Sequence, residues 1–151
     1  MIATLAIQDA LADVLLASAL ADRVSTHKDP DLVKALEALR DAPSSLLVIV
    51  PGADTIVHQL TPGFNFAEQA EISSSFEVLI TERDLAMSLS GDPDGITLKD
   101  AVIDLLMWHD LGITGLICLP TSCEPMNLQF SNGLGREAWK LTLTLRQLVT
   151  Q

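Results

Sequence analysis

Cations are scarce in this chain: nine Lys and Arg stand against twenty Asp and Glu in 151 residues, a formal net charge of −11. Surfaces that hold nucleic acid neutralise phosphates with clustered Lys and Arg and release counterions, so direct DNA recognition is excluded as the chain's main task. Cysteine is scarcer still. Cys118 and Cys123 are too few for a disulfide-built secreted scaffold and are not spaced as a zinc knuckle, so both are read as reduced thiols. Long apolar runs are missing too. Met1 to Leu20 is apolar but carries no basic leader and is interrupted by Gln8, Asp9 and Asp13, so it reads neither as a signal peptide nor as a membrane span. A cytoplasmic product is expected.

Catalytic signatures are lacking as well. No Gly-x-Ser-x-Gly elbow, His-Glu-x-x-His pair or kinase-like loop occurs, which removes the common motif-bearing hydrolases and kinases. His27, His58 and His109 sit in three separate segments with no His or Cys at metal-ligand spacing. Gly91 to Gly95 (Gly-Asp-Pro-Asp-Gly) resembles the start of a calcium loop, but its glycine falls too early and no Glu closes it. Ser131 to Gly135 has glycines without the Lys-Ser/Thr ending of a phosphate loop and reads as a turn. Glu68, Glu71, Glu77, Glu82 and Asp84 are scattered over polar faces and read as solvated. The sequence therefore assigns no catalytic, metal-binding or cofactor-binding residue, and the chain is expected not to be an enzyme. An enzyme or ligand-binding domain without a sequence signature stands as the alternative from another class.

What the chain does have is apolar substance. Hydrophobic residues make up 48 %, too many for a disordered chain, and a chain of this length buries roughly 70 % of its unfolded surface in one core. One domain over 1–151 is expected. About Thr4 to Ala21 reads as an amphipathic helix with Ile7, Leu11, Val14 and Leu15 inward and Gln8, Asp9, Asp13 and Asp22 outward. A second helix opens at Asp29 or Pro30, carries Leu32, Val33, Leu36 and Leu39, and ends at Pro43. Leu46 to Val50 reads as a central strand bounded by Pro51-Gly52, followed by a short piece at Thr55 to Leu60 and a projecting loop at Thr61 to Ala70. Ile72 to Thr81 alternates as a half-exposed strand. After a loop at Ser88 to Gly95, Thr97 and Asp100 form a capping box for a helix that runs to about Trp108. Ile113 to Leu119 and Met126 to Phe130 read as a hairpin about a Pro120 to Pro125 turn, with Cys118 a buried small hydrophobe. Trp139, Leu141, Leu143 and Leu145 then mark one face of a long last strand. The order predicts an α+β fold, a mostly antiparallel sheet packed against N-terminal helices and one central helix.

Two loops carry apolar residues that one core need not absorb: Phe64 and Phe66, and Met87 and Leu89 beside a Gly-rich turn. Either they form subunit contacts or the loops fold back onto the core.

The helical N-terminus, the Ser74 to Asp84 strand (Ser-Ser-Phe-Glu-Val-Leu-Ile-Thr-Glu-Arg-Asp), the Gly91 to Gly95 loop feeding the Leu98 to Trp108 helix, and the Trp139 to Leu148 strand together resemble the small tail-terminator, or tail-completion, proteins of long-tailed bacteriophages, of the Mu-like or lambda-like kind. The resemblance spans most of the chain and rests on element order and hydrophobic pattern. It implies a structural virion protein, assembled in the host cytoplasm as a homo-oligomeric ring, typically a hexamer, at the head-proximal end of the tail tube. There it would end tube growth and join the tail to the neck. It implies no catalysis and no cofactor, and its implied partners are other copies of the chain, the tail tube protein, a neck or connector protein and the sheath where one exists. A head-tail connector or neck adaptor shares size and composition and is the structural alternative. In a ring, part of the acidic charge is expected to line the lumen through which DNA slides without binding, with Glu77, Glu82 and Asp84 as its source.

Overall fold

The computed structural model describes residues 2–21, 23–26, 46–60, 67–81, 95–129 and 135–150. Its elements are α1 (Thr4–Ala17), β1 (Arg23–Thr26), β2 (Leu46–Leu60), β3 (Ala67–Thr81), α2 (Gly95–Leu106), β4 (Leu116–Gln129) and β5 (Gly135–Thr150). The strands form one sheet in the order β1-β2-β3-β5-β4. β1 runs parallel to β2, and the other three pairings are antiparallel. The fold is α+β, as the sequence predicts.

Helix α1 forms because Ile7, Leu11 and Leu15 recur every fourth residue and are buried together, while Asp9 and Asp13 stay in water. It stops at Ser18, whose hydroxyl donates to the Leu15 carbonyl at 2.6 Å, and Ala19 follows in the left-handed region at φ 53°. Gln8 corrects the sequence reading, which placed it outward: it is buried, and its amide nitrogen donates to the Ile49 carbonyl at 3.2 Å. The buried stripe is wide enough to take in both Gln8 and Ala12, and the hydrogen bond offsets the desolvation of the amide. The second helix expected from Asp29 or Pro30 to Pro43 lies outside the described residues. Four residues, Arg23–Thr26, are too few to show alternation, and the sequence did not reveal β1.

Strand β2 corrects the expected stop at Pro51-Gly52. The chain continues to Leu60, because Pro51 still pairs with Phe76 and a register shift before Asp54 takes up Gly52 and Ala53 opposite Ser75. Pro51 stands just past Ile49, where the pairing with β1 ends, so no described strand on that side needs its missing donor. A Cβ at Gly52 would meet the Ser75 carbonyl oxygen at 3.0 Å and the Ser75 side chain at 3.2 Å. Gly52→Ala is therefore expected to cost about 1–3 kcal/mol through overpacking of backbone against backbone, read as a lower midpoint in urea unfolding at unchanged slope.

Strand β3 lies between β2 and β5 and carries Ile72, Phe76, Val78 and Ile80 on its buried face, as the alternation predicts. It begins at Ala67, so the expected loop loses its last four residues to the strand. Ser74 is buried on the same face. Leu79 and Thr81, with Val48 and Val50 of β2, are buried on the opposite face, so this end of the sheet is not the half-exposed strand that alternation suggests.

Helix α2 packs Leu98, Val102 and Leu106 into the core, with Asp100 and Asp104 exposed. It starts at Gly95, so Thr97 stands inside the helix and not at its cap. It ends at Leu106, short of the expected Trp108, which has φ 62° and cannot continue it. The hairpin expected about Pro120 to Pro125 is also corrected. Ile113 belongs to the preceding turn, and β4 runs unbroken through both prolines, with a register shift between Pro120 and Ser122, and pairs with β5 along its length. Proline is tolerated there because β4 is the last strand of the sheet.

One hydrophobic cluster joins Ile7, Leu11 and Leu15 of α1 and Leu98, Val102 and Leu106 of α2 to Leu47, Ile49, Phe76, Val78, Ile80, Leu141, Leu143 and Leu145 of the sheet. Both helices thus cover the same face. The other face positions the candidate surface.

Candidate interaction surface

Among the residues singled out from sequence, Phe64, Phe66, Met87, Leu89, Glu82 and Asp84 lie outside the described residues. Glu77 is described. It points from β3 to the face away from the helices, half-buried, between Val50 of β2 and Thr142 of β5.

That face is built by the strand registers. One row runs Thr55, Ser73, Arg146, Ile117, and the next Val57, Glu71, Leu148. Arg146 bridges the rows: its Nε donates to Glu71 Oε1 at 2.9 Å, and its Nη2 lies 2.7 Å from Glu71 Oε2. This two-pronged bond holds the Glu71 carboxyl below the usual carboxylate range and raises Arg146 further. Val57 and Leu148, about half exposed at 54 % and 52 %, flank the pair. Nearer the other end, Lys140 Nζ lies 3.7 Å from Glu124 Oε2. Glu77 makes no ion pair among the described residues.

The second surface is the turn between α2 and β4. Four residues there have positive φ: Trp108 at 62°, Leu111 at 53°, Gly112 at 72° and Gly115 at 81°. The turn is pinned to β4, since the Trp108 amide donates to the Cys118 carbonyl at 3.0 Å and the Cys118 amide to the His109 carbonyl at 2.9 Å. His109 Nδ1 accepts from the Leu111 amide and Asp110 Oδ1 from the Gly112 amide, both at 2.8 Å. Leu111 turns into the core, whereas Trp108 stands 67 % exposed beside Met107 at 41 %. The sequence reading missed this knob by extending the helix through it. The signal was present in His109-Asp110-Leu111-Gly112, a stop of the kind that ends helices.

The thiols are free. Cys118 is fully buried, as expected of a small hydrophobe, and burial pushes its thiol up to about 12. An unfolded thiol ionises near 9.0, so the neutral form favours the folded state at every pH below that, and the advantage is lost as pH rises from there toward about 12. At about pH 10.5 the loss should be roughly 2 kcal/mol. Urea unfolding at neutral and alkaline pH should show this fall in the native chain and a smaller one in Cys118→Ala. Equal falls would remove the buried thiol as the cause.

His58 is exposed on β2 and His109 is engaged in its turn. Among the described residues no group of three His, Cys, Asp or Glu is placed to hold a metal ion, and no helix is long and apolar enough to cross a membrane. The chain matches no protein-family model and no curated protein.

Proposed function

We propose that the chain is a structural ring subunit of a phage tail, acting as a tail terminator that caps the tube and meets the neck. The reading draws on the resemblance in element order. The observation that carries it furthest is the charge arrangement, among the described residues, on the face of the sheet away from α1 and α2. Each described cation there is neutralised by a carboxylate, Arg146 by Glu71 and Lys140 by Glu124, and Glu77 is left over. The described part of that face offers DNA phosphates no available cation, which suits a lumen through which DNA slides.

The test is assembly of the purified chain, by light scattering and negative-stain imaging, alone and with isolated tail tubes. A six-fold ring that caps tubes is the expected result. A twelve-fold ring that docks on portal would favour the connector reading, and a monomer that ignores both would end the structural proposal.

A further inference from the structure

We propose that the Met107–Trp108 knob is a docking site for a partner protein that presents Arg or Lys among apolar side chains. This goes beyond the ring reading and does not rest on it.

Trp108 is the most exposed of the large apolar side chains among the described residues, and it is held out by a backbone conformation that bulky residues rarely adopt. Two backbone hydrogen bonds to Cys118 fix the residue and its neighbour against β4, so little order remains to be lost when a partner binds. An exposed, preorganised Trp beside a Met is the composition of an interface anchor.

Charge names the partner. From Asp100 through Gly135 the chain contains no Lys or Arg. Asp104 is exposed one helical turn before Trp108, and Asp110 is exposed two residues after it. The nearest cation in sequence, Lys99, is turned inward, with its Nζ 4.6 Å from the centre of the Trp139 ring and 3.0 Å from Asp100 Oδ1. Among the described residues the knob therefore offers an indole face and carboxylates with no cation of its own, the combination that attracts a guanidinium or ammonium. Among the cations whose side chains are described, Lys99, Lys140 and Arg146 are each engaged by a carboxylate, so none of these three is available to serve the knob of a second copy.

The experiment titrates the full chain with short synthetic peptides of mixed Arg and Leu, and with matched peptides bearing Glu for Arg, by calorimetry and by the indole emission. The Arg peptides should bind and shift the emission to the blue, and the Glu peptides should not. Trp108→Ala should weaken binding at least about tenfold. Asp104→Asn with Asp110→Asn should weaken it and flatten its salt dependence, the Asn at 110 keeping an acceptor for the Gly112 amide. Asp9→Asn with Asp13→Asn, on the exposed side of α1, should leave it unchanged. If Trp108→Ala lowers the melt, Trp108→Gly, which suits the positive φ, supplies the folded variant. Equal binding by the Trp108 variants, equal binding of the Glu peptides, or no binding by the native chain would each overturn the proposal. So would self-association of the unliganded chain that vanishes with Trp108. Ring formation is scored separately in the same variants, and its failure in the native chain would count against the ring alone.

Discussion

Leu143→Asp is expected to yield no soluble folded protein. Leu143 is fully buried on β5, paired with Phe76 of β3 on one side and with Pro120 of β4 on the other, and it belongs to the cluster that both helices cover. A carboxylate there would lose its hydration with no cation facing it, at a cost of several kcal/mol, comparable to the whole stability of a typical domain at about 5–15 kcal/mol. Leu143→Ala separates polarity from volume. It should cost about 2–5 kcal/mol and still fold, because only transfer and cavity terms are lost. Expression, solubility and circular-dichroism melts of the two variants check this. A well-folded Leu143→Asp would mean that β5 faces the other way.

The facing of β5 was legible in the sequence for a simple reason. Its apolar and polar residues alternate over a long stretch, and a one-residue slip would turn every Leu to water. The core of α1 is legible through the same logic at helical spacing, in Ile7, Leu11 and Leu15. Element boundaries failed where the rule applied to them was local and the decision was not. Local rules make Pro51-Gly52 a strand boundary and Pro120 to Pro125 a turn, yet whether proline ends a strand depends on which neighbours the strand has, and β4 and the far part of β2 have room for it. Helical spacing alone cannot place Gln8 inward, because its partner, the Ile49 carbonyl, is 41 residues away.

The surface was less legible than the core. Glu71 and Arg146 are 75 residues apart, and only the antiparallel register of β3 on β5 makes them neighbours. The Thr97 and Asp100 capping box predicts a helix through Trp108, whereas in the structure Trp108 stands exposed at the start of the turn that carries Leu111 into the core.

Phe76→Ala is expected to be the most costly truncation that keeps the chain apolar. Phe76 is fully buried in the middle of β3, opposite Pro51 of β2 and Leu143 of β5. No side chain beside it is free to swing into the space, because β-strand neighbours on both sides are fixed by the ladder and the helices above are anchored by their own Leu and Ile. The cavity should therefore stay largely open, at about 3–5 kcal/mol. At about 2–4 °C per kcal/mol for a chain of this size, the melting temperature should fall by about 6–20 °C. Phe76→Leu keeps most of the volume and should cost under about 1.5 kcal/mol plus the lost ring contacts. The adjacent Glu77 turns to the other face, so Glu77→Gln should fall within about 0.5 kcal/mol of the native chain. The contrast between two neighbouring positions is the decisive reading. If Glu77→Gln destabilises the protein as much as Phe76→Ala, the register of β3 between β2 and β5 is wrong, and with it the rows that bring Arg146 to Glu71.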